Sequence, residues 1–421
     1  MSTTSWMHSV TQESLLDVLL PLSLFGLLLQ RSSDPLGMVL LIVIWLAFKL
    51  FLRTKTSPIY WCLIGVIAIS LAMMTHSVPN SSPSDLLLTL LAFTAGAGRS
   101  REQWHVSFWI LAFTGVVAFL IFELDHGRSN GNLEMIPLQS LRDFLPDYAL
   151  RLRKITINRS GYILGIVSIL GFGLARHDGG SWRRWLALGL GLLSYGMAFS
   201  TGSRAATVFP LFALLLAEIA WRCRIHLSRL AKPIAFLVVL IGLIFNLSIY
   251  HPSSPFAYAN PSDTGRANVA QCFINQATQS GIGFFTGQGG DQVSSICRRI
   301  TPPNPNSRKT NGPPHAHNAF LQTLADYGLP AALMLVVIVG LSLRNALQMI
   351  AAGEGLQGTL ALSLGLFIFG SALVESTLLT TSLQQVLTGY LLAVAWPGSG
   401  MGKQNECTLQ PAVVGSPAET D

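Results

Sequence analysis

The stretch Pro313-Pro314-His315-Ala316-His317-Asn318-Ala319-Phe320-Leu321-Gln322-Thr323-Leu324-Ala325-Asp326-Tyr327-Gly328-Leu329-Pro330 joins two kinds of sequence. Upstream lies a hydrophilic island from Tyr250 to Ala316, and downstream an apolar run begins. From His317 to Tyr327, the residues Phe320, Leu321, Leu324 and Tyr327 recur at helical spacing. A helix of about three turns is therefore predicted, stopped by Gly328 before Pro330 opens the next span. Its histidine falls in the first turn, where the helix dipole favours bound anions and disfavours imidazolium. A neutral His317 there can act as a general base; the alternative is a histidine that hydrogen-bonds a loop carbonyl.

Working outward, half of the 421 residues are hydrophobic, 11% are charged and the mean hydropathy is +0.49. A soluble domain carries roughly 25% charged residues. The chain thus reads as an all-α, polytopic membrane protein, whose length limits the number of spans. Apolar runs of suitable length predict about twelve spans, at 14–30, 36–52, 58–75, 84–98, 106–123, 159–175, 185–200, 205–221, 233–250, 328–344, 357–374 and 378–396. The expected organisation is spans over 1–250, a large outer loop with the catalytic helix over 251–327, further spans over 328–396 and a disordered tail over 397–421. Met1 to Glu13 has no basic n-region or cleavage site, so no removable signal peptide is expected.

Short loops set the orientation. Arg53, Lys55, Arg99, Arg101, Arg176, Arg183, Arg184, Arg222, Arg224, Arg229, Lys232 and Arg344 fall in one alternating set, which is taken as cytoplasmic. Both termini are then expected inside and the island outside. The net charge of +7 follows mostly from this bias and is not read as a nucleic-acid footprint. Other basic residues fall on the outer side: Arg204 in a tight turn, and Arg266, Arg298, Arg299, Arg308 and Lys309 in the island. They are either solvated or lipid-contacting charges, or a site for a diphosphate, whose oxygens a guanidinium grips in pairs. Cys272 and Cys297 share the outer island, where an oxidising compartment permits a bridge, although both could remain free thiols.

Competing chemistries have weaker signals. His315 and His317 lack a third metal ligand at a recognisable spacing, so no metal and no cofactor are expected. The run from Gly281 to Gly290 lacks the third glycine of a dinucleotide fingerprint and the lysine of a P-loop, and is better read as turn-forming backbone. Asp17, Lys49, Asp85, Glu123 and Glu218 lie near predicted span ends. The uncharged span centres argue against an ion-coupled lipid or polysaccharide transporter.

Four features occur in order: Thr201-Gly202-Ser203-Arg204-Ala205 after a span, Thr264-Gly265-Arg266 in the island, the glycine turn at Gly287 to Gly290, and His317-Asn318 followed by Gly328. Together they resemble the O-antigen ligase and O-antigen polymerase superfamily, from about Arg159 to Trp396. The resemblance implies a metal-independent, inverting glycosyltransferase with a GT-C-like bundle and a large periplasmic loop between spans nine and ten, in the bacterial inner membrane. The implied partners are an undecaprenyl-diphosphate-linked glycan donor, a lipid A-core acceptor and membrane lipids, with no nucleic acid. It implies catalytic roles for His317, Arg204 and Arg266, and substrate contacts from Arg204, Arg266, His315, Asn318, Arg298 and Arg299. Polymerisation of a lipid-linked glycan, or transfer to protein hydroxyls, are the neighbouring activities. The ligase signature is met through Gly328, with Ala331 departing from it at the last position.

Overall fold

The computed structural model describes residues 84–129, 157–177, 179–200, 203–250, 261–279, 281–289, 292–300, 315–375 and 382–396. In chain order the helices are α1 (Ser84–Gly96), α2 (Arg101–Ser129), α3 (Ile157–His177), α4 (Ser181–Ser200), α5 (Arg204–Arg222) and α6 (Arg224–Tyr250). They continue with α7 (Pro261–Thr278), α8 (Gly281–Thr286), α9 (Gln292–Ile300), α10 (Ala319–Ala351), α11 (Gly355–Val374) and α12 (Ser382–Leu392), which ends in a 3-10 turn at Ala393–Ala395. The described residues are all-α, as expected.

The expected layout of about twelve spans around a large periplasmic loop is not what the structure supports. Among the described residues, three helices are long and apolar enough to cross a membrane: Ala205–Arg222, Ala319–Ala351 and Gly355–Val374. A run of apolar residues registers on a hydropathy scan whether or not its helix can reach across a bilayer. At 1.5 Å per residue, α1 and α12, with 13 and 11 residues, extend about 20 and 17 Å, short of a hydrocarbon core of about 30 Å. The charges of α2 and α4 sit toward their ends, at Arg101, Glu102, Glu123, Asp125 and Arg128 in α2 and at Arg183 and Arg184 in α4. The runs expected at 14–30, 36–52 and 58–75, both termini, Arg308 and Lys309 lie outside the described residues.

The main core forms where α3 packs on α4, α1 on α12, α5 on α11, and α10 on both α6 and α11. At Gly171 the backbones of α3 and α4 nearly touch: a Cβ there would stand 2.5 Å from the Gly191 nitrogen, the close approach that small residues permit between helices. The Tyr162 hydroxyl, 2.8 Å from the Thr388 hydroxyl, ties α3 to α12 inside this core.

Where a loop was expected, the described part of the island is helical. Val269, Ala270, Phe273 and Ala277 of α7 and Val293 and Cys297 of α9 meet Ala316, Leu321 and Ala325 in a second, smaller core. Cys272 and Cys297 are disulfide-bonded with their Cα atoms 5.8 Å apart, stapling α7 to α9. A core this small gains much from such a constraint.

Candidate active site

The site is organised by α10, which is broken at Gly328 (φ 81°, ψ 175°). Within a helix the Asp326 carbonyl would accept from residue 330, but Pro330 has no N–H to give. The glycine-rich loop supplies the missing donors: Gly289 N–H donates to the Asp326 carbonyl at 3.0 Å, and Gln288 N–H donates to the Ala325 carbonyl at 2.9 Å. The fit leaves no space for side chains. A Cβ on Gly328 would lie 2.2 Å from the Phe285 carbonyl oxygen, and one on Gly287 (φ 78°) 2.3 Å from that of Asp326. The run Gly287 to Gly289 is thus a turn that caps a broken helix.

At the other end of this short helix, His317 does not occupy the first turn, which corrects the expected helix start. Its φ of 54° is left-handed, a conformation that costs a non-glycine residue about 1–3 kcal/mol and is held by its surroundings. Asn318 is the N-cap, extended at φ −155°, and its Oδ1 accepts from Leu321 N–H at 3.0 Å. Gln322 reaches back so that its Oε1 accepts from Ala316 N–H at 2.9 Å, while its Nε2 donates to Ser294 Oγ at 3.4 Å and to the Asp326 carboxylate. Both sides of His317 are therefore pinned, and the backbone has little freedom to relax.

The imidazole turns toward Glu375, with Nδ1 3.0 Å from Oε2. The histidine side chain is 18% exposed and the glutamate 9%, so the contact is shielded but one edge of the ring remains reachable. Glu375 C-caps α11, its N–H donating to the Ser371 carbonyl at 2.9 Å. It also lines a small, open cleft with Tyr162, Ser203, Ala205, Ala206, Phe367 and Ser371. Ser203 is the N-cap of α5, accepting from Ala206 N–H, and Arg204 is the first residue of that helix.

Of the residues singled out in the sequence, His317 contacts Glu375, which shares the cleft with Ser203, the residue before Arg204. Arg266 belongs to α7, and Arg298 and Arg299 to α9, on the stapled unit that covers the far side of the short helix. The side chains of Arg204, Arg266, Arg298 and Arg299 lie outside the described atoms, so only their backbone positions are fixed. His315 is half-buried two residues ahead of His317. Among the described residues no group of three or more His, Cys, Asp or Glu side chains gathers. Glu375 escaped the sequence reading; its one signal is a lone carboxylate closing the uncharged run Gly355–Val374.

Residues 186–336 match the family model described as O-Antigen ligase. Over that part, the chain belongs to the O-antigen ligase and polymerase superfamily. No curated protein matches the chain significantly. The matched stretch contains Arg204, Arg266, Arg298, Arg299, His315, His317, Asn318 and the break at Gly328, whereas Glu375 lies beyond it. The match over that part supports a membrane-associated protein related to the O-antigen ligase family. At Ala331, the position that departs from the ligase signature, the side chain is buried in the main core.

Proposed function

We propose that this protein is an O-antigen ligase, transferring a polysaccharide from undecaprenyl diphosphate to a lipid A-core hydroxyl on the periplasmic face of the bacterial inner membrane. The observation that supports this reading best is the His317–Glu375 contact, the glutamate also lining the cleft with Ser203 and Ala205, the residues on either side of Arg204. A carboxylate on Nδ1 stabilises the tautomer in which that nitrogen carries the proton, leaving Nε2 with a lone pair. Nε2 takes the proton of the acceptor hydroxyl as its oxygen attacks the anomeric carbon. The bond from that carbon to the diphosphate oxygen breaks, and the diphosphate leaves with the electron pair. A single displacement of this kind inverts the anomeric centre.

Charge accumulates on the leaving diphosphate, and Arg204 and Arg266 are assigned to it, since planar guanidinium groups pair with phosphate oxygens. Arg298, Arg299 and His315 are assigned to substrate binding, and Asn318 acts through the helix it caps. On this reading 251–327 is the unit that presents the donor. Glu375 is a positioning residue, because it touches His317 rather than substrate.

The deciding experiment uses the purified full chain and a lipid-linked glycan donor, with lipid A-core and a second lipid-linked glycan offered in separate reactions. Transfer to lipid A-core, unaffected by EDTA and without ATP, is the expected result. Elongation of the lipid-linked glycan alone would identify a polymerase instead, and no transfer to either acceptor would overturn the reading.

A further inference from the structure

The end of the bundle remote from His317 carries a second group of arginines that the transfer reaction does not use. His177 closes α3 with its Nε2 3.1 Å from the Thr359 hydroxyl of α11 and its ring edge-on to Trp221, near the end of α5, at 6.4 Å between centroids. α4 starts at Ser181 just beyond α3, and α6 starts at Arg224, with Cys223 alone between it and the end of α5. Helix ends and starts therefore converge on one surface. The 19 residues of α5 put that surface about 28 Å from Arg204, close to the ~30 Å hydrocarbon thickness of a bilayer.

The charges on this surface fall into two sets. Arg176 and Arg222 share Glu218, at 2.7 and 2.9 Å. Arg183, Arg184, Arg224, Arg229 and Lys232 are exposed, and among the described residues no carboxylate pairs with them. Two are held on aromatic faces: Arg183 lies 5.6 Å from the Trp182 ring centroid and Arg224 4.5 Å from that of Trp221. A stacked guanidinium keeps its N–H edge free for an oxygen acceptor while losing rotational freedom. Apolar surface is interleaved with these cations: Trp182, Trp185 and Ile225 are 66%, 69% and 82% exposed. Exposed indoles among exposed guanidinium groups, at the end of a membrane-length helix, match the boundary between acyl chains and head groups.

We propose that this surface binds anionic phospholipid head groups, with lipid phosphates on Arg183, Arg184, Arg224, Arg229 and Lys232 and the upper acyl chains against Trp182, Trp185 and Ile225. The proposal stands apart from the glycan-transfer reading, since it involves none of the residues assigned to that reaction. It predicts a chain whose stability depends on the charge of its lipids.

The test uses the full chain purified in a neutral detergent, titrated in separate arms with phosphatidylglycerol, phosphatidylcholine and inorganic phosphate while thermal unfolding is followed. Phosphatidylglycerol should raise the melting temperature saturably, phosphatidylcholine should not, and each arginine changed among Arg183→Gln, Arg184→Gln, Arg224→Gln and Arg229→Gln should weaken half-saturation by about fivefold. A second readout, independent of whether those variants fold, is quenching of tryptophan fluorescence by brominated lipids. Brominated phosphatidylglycerol should quench the native chain more than brominated phosphatidylcholine, and Trp182→Phe with Trp185→Phe should remove the difference. Equal responses to the two lipids would overturn the proposal, as would the same stabilisation by inorganic phosphate alone.

Discussion

The short helix that follows His317 is held between two cores of different kinds. Ala319, Phe320 and Tyr327 face the large core built from long apolar helices, whereas Leu321 and Ala325 face the small one closed by α7 and α9. The large core combines helix packing with buried hydrogen bonds such as that between Tyr162 and Thr388, while the small one relies on a disulfide and on hydrogen bonds from a glycine turn. The division also separates the parts of the proposed reaction. Glu375, which orients the base, comes from α11 in the large core, and the island arginines stand on α7 and α9 of the small one. Changes on the first side should alter turnover with the fold intact, and changes on the second should loosen the unit that presents the donor.

The sharpest way to break this division is at the histidine. His317→Ala is expected to lower transfer by about 10²- to 10⁴-fold with an unchanged melting temperature, while His315→Ala does less. Near-normal turnover in the first variant would remove it from the role of base. Glu375→Gln is expected to lower kcat by about 10- to 100-fold while the acceptor KM stays put. An equal rise in KM would assign the glutamate to acceptor binding instead.

Next in size come the arginines that bridge the two sides. Arg204→Lys and Arg266→Lys should each lose most activity, because a point-charge ammonium cannot grip two phosphate oxygens as a planar fork does, whereas Arg308→Lys should be tolerated. Full activity in either of the first two would return that residue to the class of solvated or snorkelling charges. A smaller, structural effect is expected at the helix break. Gly328→Ala must place a Cβ against the Phe285 carbonyl oxygen at 2.2 Å and adopt a φ of 81°. It should cost about 1–3 kcal/mol of stability, visible as a lower melting temperature.

The disulfide offers the most localised test. Cys272→Ser with Cys297→Ser removes about 3 kcal/mol of constraint from the small core, so amide exchange should quicken in α7 and α9 and stay slow in α11. Uniform quickening through both cores would show that the two are one cooperative unit.

Much of this arrangement was readable in the chain, and the rest was hidden for physical reasons. Apolar runs located helices because burial requires them, but the same runs could not show which helices would reach across a membrane: α12 is 11 residues long where a span at 378–396 was expected. Gly328 and Pro330 announced a break and a restart, since each acts through local backbone geometry, whereas the cap at Asn318 was missed because the helix was expected to begin at His317. The left-handed turn at His317 was not visible, because it is enforced by contacts on either side and histidine itself does not prefer it. Glu375 lies 58 residues along the chain from His317, and no short-range pattern connects a span-end carboxylate to a distant imidazole. The role of Gly287 to Gly289 was legible only as a turn, because its target at Ala325 and Asp326 is a tertiary contact.

The break at Gly328 interrupts α10 without freeing its two parts from each other, since the turn at Gln288 and Gly289 grips the end of the first part just where the second begins. A span whose apolar length differs from the surrounding bilayer tilts or slides, at a cost of only fractions of a kcal/mol per Å. Sliding by one residue moves a helix about 1.5 Å, and a misplacement of about 1 Å can cost a reacting group a hundredfold in rate. A span that slid would be expected to carry the His317 turn with it, so the proposed transfer rate should vary with acyl-chain length when the protein is assayed in bilayers of different thickness.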